Sequence, residues 1–186
     1  MRKVRLITTF DCPKKCSNCC NSYPKVMAGA KTLVLKDIGP CDELLITGGE
    51  PLMFPEELVY LAKKARRWAK KIYLYTALPD DMLHYLTQLL DGFQFTLHEG
   101  ATKHEVLDFE EFQESMVSWP SQSLRLRIIE GFRHSVDITP RKWTSIKATE
   151  PWLTEEQLLA KGNNGLPEDE ELVILDPLWK KESING

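Results

Sequence analysis

The 186-residue sequence has no long apolar run and no strong excess of either charge. No stretch approaches the roughly 18 consecutive apolar residues of a membrane span, so we expect no transmembrane helix. The net charge of −3 provides no general attraction to nucleic acid or to an anionic membrane, and we expect neither as a partner. The amino terminus, MRKVRLITTFDCP, lacks the long apolar segment of a secretory signal, so we expect none. The cysteines described below indicate the cytoplasm, because thiolate ligands must stay reduced.

Internal repeats and low-complexity linkers are also absent from the sequence. Its hydrophobic content of 42% and its charged content of 27% are ordinary for a soluble globular protein. Since a chain of this length can bury one sizeable core, we expect a single domain over residues 1–186.

Cysteine is scarce, but its few positions are tightly grouped. The odd total and the close spacing indicate a metal site in a reducing compartment rather than a disulfide framework. Cys12, Cys16 and Cys19 form a C-x3-C-x2-C motif directly after a β-like run. Three thiolates on one loop suit three irons of a [4Fe–4S] cluster, and the fourth iron then stays open for a small molecule. The five cysteines are Cys12, Cys16, Cys19, Cys20 and Cys41.

Further along the chain, the segment LLITGGEPL places Gly48, Gly49, Glu50 and Pro51 directly after an apolar strand. The two motifs, in this order and at this spacing, resemble those of the radical S-adenosylmethionine (radical SAM) superfamily. In that family the cysteine loop follows the first strand and the GGEP turn follows the second. The resemblance implies that the open iron binds the amino and carboxylate groups of SAM. It also implies that the reduced cluster splits SAM into methionine and a 5′-deoxyadenosyl radical.

The resemblance also assigns the site residues. The two glycines would let the backbone approach SAM, and Glu50 would receive the SAM ammonium in a charge-assisted hydrogen bond. Thr76 and Thr96 lie on predicted strands where relatives place polar SAM contacts, although threonine is also frequent in strands for its β-propensity alone. The implied cluster ligands are Cys12, Cys16 and Cys19, and the implied SAM-binding residues are Gly48, Gly49, Glu50, Thr76 and Thr96.

A structural zinc site is the other interpretation of the cysteine loop, with Cys20, Cys41 or a histidine as the fourth ligand. Structural zinc usually has two paired ligand knuckles, whereas this loop contains one clean C-x2-C pair, from Cys16 to Cys19. Cys20 and Cys41 are equally compatible with small buried hydrophobes, which is the commoner environment of a free cysteine.

Several other polar residues have two interpretations each. His98 and Glu99 face either the same site or solvent. Arg125 and Arg127 share one face of a predicted strand, and they point either inward, to hold an anion, or outward into solvent. The basic run Lys63–Lys71 is typical of the solvated face of an amphipathic helix.

Strand candidates separated by helical segments predict an α/β domain with a mainly parallel sheet. Asp80 is a plausible helix N-cap, and the pairs Asp108–Glu111 and Thr154–Gln157 have the spacing of capping boxes. One helix is expected to carry apolar residues from Leu58 to Ala69. The predicted strands are Lys3–Phe10, Glu43–Thr47, Ile72–Ala77, Phe93–Leu97, Leu124–Glu130, Trp143–Ala148 and Leu172–Leu175.

This order of elements matches the partial (β/α)6 TIM-like barrel of the radical SAM family. The helix that normally follows the cysteine loop looks shortened, because residues 22–40 contain two prolines and two glycines. The resemblance covers a core of about residues 3–131 and leaves 132–186 as an extension without an assigned role.

The resemblance implies an oxidoreductase whose 5′-deoxyadenosyl radical abstracts hydrogen from an unidentified substrate. It also implies an electron donor such as flavodoxin or ferredoxin as a partner. The C-x3-C-x2-C-C-N ending resembles the activases of glycyl-radical enzymes, and the small GGEP-bearing chain is also similar to 7-carboxy-7-deazaguanine synthases. The alternative from another class is a non-catalytic iron–sulfur or zinc binding module.

Overall fold

A computed structural model describes residues 1–14, 16–116, 119, 122–138 and 143–177. Over these ranges the chain forms one sheet of eight parallel strands with helices between them. The strands are β1 (Lys3–Ile7), β2 (Lys31–Leu33), β3 (Cys41–Thr47), β4 (Ala69–Thr76), β5 (Gly92–Leu97), β6 (Ser123–Ile129), β7 (Ser145–Glu150) and β8 (Glu170–Leu175). The helices are α1 (Pro24–Met27), α2 (Pro55–Ala65), α3 (Met82–Leu86), α4 (Lys103–Ser115) and α5 (Glu155–Leu159).

The strands are arranged in the order β2-β8-β1-β3-β4-β5-β6-β7. In the described part of the chain, β2 and β7 form the two edges, so the sheet is open and does not close into a barrel. The predicted α/β class with a parallel sheet is therefore confirmed, and the open sheet is consistent with a partial TIM-like fold. None of the described helices is long and apolar enough to cross a membrane.

One face of the sheet carries the main apolar core. Alternate residues of β1, β3 and β4 are fully buried there, because side chains along a strand alternate between its two faces. Helix α2 covers this face with Leu58, Leu61, Ala62 and Ala65. Glu56 in its first turn and Lys63 in its last turn complement the helix dipole. The opposite face is more polar, and it faces the candidate site.

Each predicted strand is present, with ends that differ by up to three residues. The helix after the cysteine loop is the four-residue α1, which confirms that it is shortened. The three-residue strand β2 also follows the cysteine loop and was not predicted. Helix α2 ends at Ala65, so the prediction that it continues to Ala69 was wrong, because Ala69 begins the buried strand β4.

Of the two predicted capping boxes, one is present in the structure and the other is not. Thr154 and Gln157 form the predicted reciprocal pair at the start of α5. The predicted box at Asp108 and Glu111 was wrong, because α4 already begins at Lys103. Its first turn is capped by Thr102 and Glu105, which exchange side-chain-to-backbone hydrogen bonds of 3.2 and 2.8 Å. The predicted N-cap Asp80 lies one residue before the observed N-cap Asp81, although its side chain accepts a hydrogen bond of 2.8 Å from the Met82 N–H at the start of α3.

Substitutions at Thr102, the observed cap of α4, and at Asp108, the cap expected from sequence, should differ in their effect on stability. Thr102→Ala should lower the free energy of unfolding by about 1 kcal/mol, because it leaves the Glu105 N–H without its side-chain acceptor. Asp108→Ala should change it by less than about 0.5 kcal/mol, since Asp108 lies inside the helix and pairs with the exposed His104. Urea denaturation of both variants measures the difference, and equal losses would contradict the assigned helix start.

Candidate functional site

The candidate site lies at the carboxyl ends of β1 and β3. These strands are neighbours in the sheet, with Ile7 opposite Thr47. The cysteine loop follows β1 and the GGEP turn follows β3, so both loops leave the same edge. Beyond the strands they stay paired: the Gly49 N–H donates to the Thr9 carbonyl at 2.6 Å, and the Glu50 N–H donates to the Asp11 carbonyl at 2.8 Å. The two motifs therefore form one backbone unit.

Glycine at positions 48 and 49 is required by the approach of the cysteine loop itself. A Cβ on Gly49 would lie 2.6 Å from the carbonyl carbon of Asp11. Gly48 has a φ of +131°, which other residues rarely adopt, and a Cβ there would contact the Thr9 carbonyl oxygen. The sequence interpretation had assigned these glycines to the approach of SAM. The structure gives them a second role, in packing loop against loop.

The far end of the cysteine loop is also attached to the GGEP turn. Residues Cys20–Ser22 form a single 3₁₀ turn, and the Asn21 side-chain amide donates to the Gly48 carbonyl. Asn21 thus fixes the loop where its last cysteines end. The loop is held at both ends by one short glycine segment.

All three predicted cluster ligands and all five predicted SAM-binding residues line a single cavity of about 190 Å³, which we call the cysteine cavity. Within the described ranges, no group of three or more His, Cys, Asp or Glu side chains is already arranged to hold a single metal ion. An iron–sulfur cluster requires a different arrangement from that of a single metal ion, because each thiolate binds a different iron. The cavity residues from the sequence analysis are Cys12, Cys16, Cys19, Gly48, Gly49, Glu50, Thr76 and Thr96.

The thiols of the loop influence one another's protonation. Burial, followed by the charges of Cys19 and Cys12, raises the pKa of Cys16 to about 11. Burial also raises the pKa of Cys12. The charges of neighbouring cysteines disfavour the thiolates, and the ammonium of Lys14 offsets this only in part at Cys12. Bound iron would offset that cost, because metal coordination favours the thiolate, and so the donor set fits an iron–sulfur cluster.

Glu50 is almost completely buried, with 1% of its surface exposed. Its carboxylate accepts hydrogen bonds from the Leu52 N–H at 3.1 Å, the Thr76 hydroxyl at 2.8 Å and the Ala77 N–H at 2.8 Å. Burial raises its pKa, while these three hydrogen bonds act in the opposite direction. An ionised carboxylate has about four acceptor positions, so one remains for a ligand.

Thr76 and Thr96 have different environments in the cavity. The Thr76 hydroxyl donates its proton to Glu50 and accepts a hydrogen bond from the Leu78 N–H at 3.0 Å. Its proton is therefore engaged in a hydrogen bond within the protein. Thr76 therefore orients Glu50. Thr96 on β5 is half-buried, and its side chain lines the cavity.

His98 occupies the cavity wall, which was one of its two sequence interpretations. Its Nδ1 lies 3.3 Å from the sulfur of Cys16, and its ring stacks on Trp152 with centroids 5.8 Å apart. Burial, with the nearby charge of Lys14, lowers the pKa of His98 to about 4. Lys14 is itself paired with Glu105 of α4. The imidazole is thus neutral at physiological pH.

Arg127 and Arg125 both lie on the polar face of the sheet, which was the inward alternative. Arg127 lines the cysteine cavity and is ion-paired with Glu150 at the end of β7. The Arg125 guanidinium instead stacks over Tyr73, 5.1 Å from the ring centroid, and it is not among the residues lining the cavity.

The two remaining cysteines, Cys20 and Cys41, lie in different parts of the structure. Cys20 lines the cysteine cavity, next to Cys19. Cys41 is the first residue of β3 and is buried in the apolar core. At about 3.3 Å per residue, the seven-residue strand places Cys41 about 20 Å from the GGEP turn. Cys41 therefore cannot reach the cluster loop, and only Cys20 is positioned as a possible fourth thiolate.

Several cavity residues were missed by sequence reasoning. Gln94 had a usable signal, because it alternates with Thr96 and His98 along β5 at the period of one strand face. Lys14 and Trp152 had no sequence signal that would have identified them as cavity residues. Trp152 in particular lies outside the segment that carries the resemblance, and it reaches the cavity only through tertiary folding.

A comparison with models of known protein families finds no match for this chain, and a comparison with curated proteins finds none either. The functional interpretation therefore depends on the residues and geometry of the site.

The close contact between the cysteine loop and the GGEP turn should make the protein sensitive to one added methyl group at Gly49. Gly49→Ala should lower the free energy of unfolding by about 1–3 kcal/mol, because its Cβ must displace the Asp11 backbone. It should also speed hydrogen exchange at the Glu50 amide, whose acceptor is that same carbonyl. The matched control is Gly100→Ala, since a Cβ there has no heavy atom within 4 Å. Similar losses in both variants would show that the junction is loose.

Proposed function

We propose that this chain is a radical SAM enzyme that holds a [4Fe–4S] cluster on Cys12, Cys16 and Cys19 and binds SAM beside the GGEP turn. The observation that carries the proposal is the convergence of these three cysteines with Gly48, Gly49 and Glu50 in one cavity, at the carboxyl ends of neighbouring parallel strands. Active sites of barrel-like α/β enzymes are built at that end of the strands.

The chain's own residues would each contribute to binding. The three thiolates hold the cluster, and the backbone pairing of the cysteine loop with the GGEP turn fixes the cluster relative to SAM. Glu50 keeps one acceptor position for the SAM ammonium, and Thr76 and the Ala77 N–H hold its carboxylate in place. His98 and Trp152 form a stacked wall that limits the access of water.

When bound, the reduced cluster supplies the electron that splits SAM into methionine and a 5′-deoxyadenosyl radical, which then takes a hydrogen atom from the substrate. The protein would work in the cytoplasm, because its thiolate ligands must stay reduced. It would receive its electron from a small donor such as flavodoxin or ferredoxin. Two substrate classes fit the proposal: the enzyme activated by a glycyl-radical activase, and a nucleotide or deazapurine.

The test of the proposal is anaerobic. The full chain is reconstituted with iron and sulfide, SAM and dithionite are added, and 5′-deoxyadenosine is measured by mass spectrometry. We expect formation of 5′-deoxyadenosine that disappears in Cys16→Ser and persists in Cys41→Ser, since Cys41 lies in the core at the other end of β3. A fully loaded cluster that yields no 5′-deoxyadenosine, even with candidate substrates present, would favour the binding-module alternative.

Iron content tests the number of protein ligands. Cys41→Ser should leave the iron per chain unchanged, because the residue cannot reach the loop. Cys20→Ser should also leave it unchanged, since the proposal requires one iron to stay free for SAM. Colorimetric iron analysis after reconstitution measures both. A loss of the cluster in Cys20→Ser would assign Cys20 as a fourth ligand and argue against an open iron.

A further inference from the structure

The middle of the cysteine loop is held by the segment that leaves β5 and enters α4. We call residues 98–105 the β5–α4 segment. It contacts three residues of the loop, of which the central one is a proposed cluster ligand. The contacts are Lys14–Glu105, Cys16–His98 and Ser17–Glu99. An ion pair and a hydrogen bond of 2.6 Å from the Ser17 hydroxyl thus flank the contact of His98 with Cys16.

The β5–α4 segment is itself fixed by contacts that do not involve the cysteine loop. The Ala101 N–H donates to the His98 carbonyl at 3.1 Å, and the Thr102 cap starts α4 directly afterwards. The His98 ring stacks on Trp152, with the two ring planes 21° apart. The backbone and the ring of His98 are therefore held in place independently of Cys16.

The chemistry of a cluster ligand decides which atom of this contact carries the proton. His98 Nδ1 lies 3.3 Å from the Cys16 sulfur, a hydrogen-bonding distance for sulfur. A cysteine bound to iron is a thiolate, so its sulfur accepts a hydrogen bond but has no proton to donate. A bare imidazole nitrogen would face that sulfur with one lone pair against another, which is repulsive. The contact is therefore favourable with the proton on Nδ1, so that His98 donates to Cys16.

A hydrogen bond to a ligand sulfur changes how readily a cluster takes up an electron. Reduction of [4Fe–4S]²⁺ to [4Fe–4S]⁺ adds one electron and breaks no bond to the protein. The added negative charge is shared with the sulfur ligands. An N–H group directed at one of these sulfurs therefore stabilises the reduced form more than the oxidised form, and it raises the reduction potential.

We propose that His98 sets the reduction potential of the cluster, by donating a hydrogen bond from Nδ1 to the iron-bound sulfur of Cys16. His98 acts through Cys16, so it is a positioning residue and not a catalytic one. Its effect is to make the cluster easier to reduce by a small electron donor. The inference rests on the cluster of the proposed function, but it does not depend on the cleavage of SAM.

The reduction potential of the reconstituted full chain tests this role. The cluster is titrated anaerobically without SAM, with dithionite as the source of electrons, and its reduced form is measured by electron paramagnetic resonance. His98→Phe keeps a ring beside Trp152 but removes the N–H group. It should lower the equilibrium constant for reduction about tenfold, which is about 59 mV for a one-electron couple.

The matched control is His104→Phe, which makes the same substitution at an exposed histidine of α4 that is paired with Asp108. Its reduction potential should equal that of the unmodified chain. An unchanged potential in a fully loaded His98→Phe cluster would overturn the proposal, and so would equal shifts in the two variants. Loss of iron from His98→Phe would also overturn it, because His98 would then be needed to hold the cluster.

A second measurement needs no variant. The full chain is labelled with nitrogen-15 in its histidines, and the couplings of these nitrogens to the reduced cluster are measured by pulsed electron paramagnetic resonance. Of the four histidines, all of which lie in the described ranges, only His98 lines the cysteine cavity. We expect one weak coupling, as from a hydrogen-bonded nitrogen. A strong coupling, as from a nitrogen bound to iron, would overturn the proposal, and so would no coupling at all.

The role of His98 and the proposed function fail separately. If the potential shifts as expected but no 5′-deoxyadenosine forms, His98 tunes the cluster of a protein that is not a radical SAM enzyme. If 5′-deoxyadenosine forms but His98→Phe has an unchanged potential, the enzyme assignment stands and the role of His98 is wrong. If the unmodified chain holds no iron–sulfur cluster after reconstitution, both proposals are overturned.

Discussion

The candidate site depends on a single backbone contact, the pairing of the Gly48–Glu50 segment with the start of the cysteine loop. Two short hydrogen bonds and two positions without a Cβ bring these loops together. Everything else at the site is attached to this unit: Asn21 fastens the end of the loop to Gly48, and Glu50 connects the turn to β4 through Thr76. Both ends of the loop are thereby held by contacts within the protein.

The parts of this arrangement that the sequence predicted are those with a local signal. Alternating apolar residues identified the strands, and the Thr154–Gln157 spacing identified a helix start. The cysteine loop and the glycine turn were recognisable because their spacing is short and each follows a strand. Thr76 and Thr96 were expected beside them from the resemblance, and all of these residues line one cavity because carboxyl ends of parallel strands meet at one edge of a sheet.

The parts that were missed depend on contacts between distant residues. Asp108–Glu111 and Thr102–Glu105 both fit a capping box, and the helix that starts at Thr102 is the one that buries Val106 and Phe109. The Glu50–Thr76 hydrogen bond gives Thr76 a role in orienting Glu50 that no sequence pattern indicated. No local pattern could show that Trp152 stacks on His98, because the two lie on segments far apart in the chain.

The position of β8 has a consequence for how the protein is made. This strand lies between β2 and β1, and it pairs Glu170 with Lys3, so residues from opposite ends of the described chain are neighbours in the sheet. Contacts of such long sequence separation form slowly, because much chain entropy is lost before they form. A ribosome must therefore release nearly all of the described chain before β8 can pair with β1. Until the segment between β7 and β8 has been made, the cysteine cavity lacks Trp152.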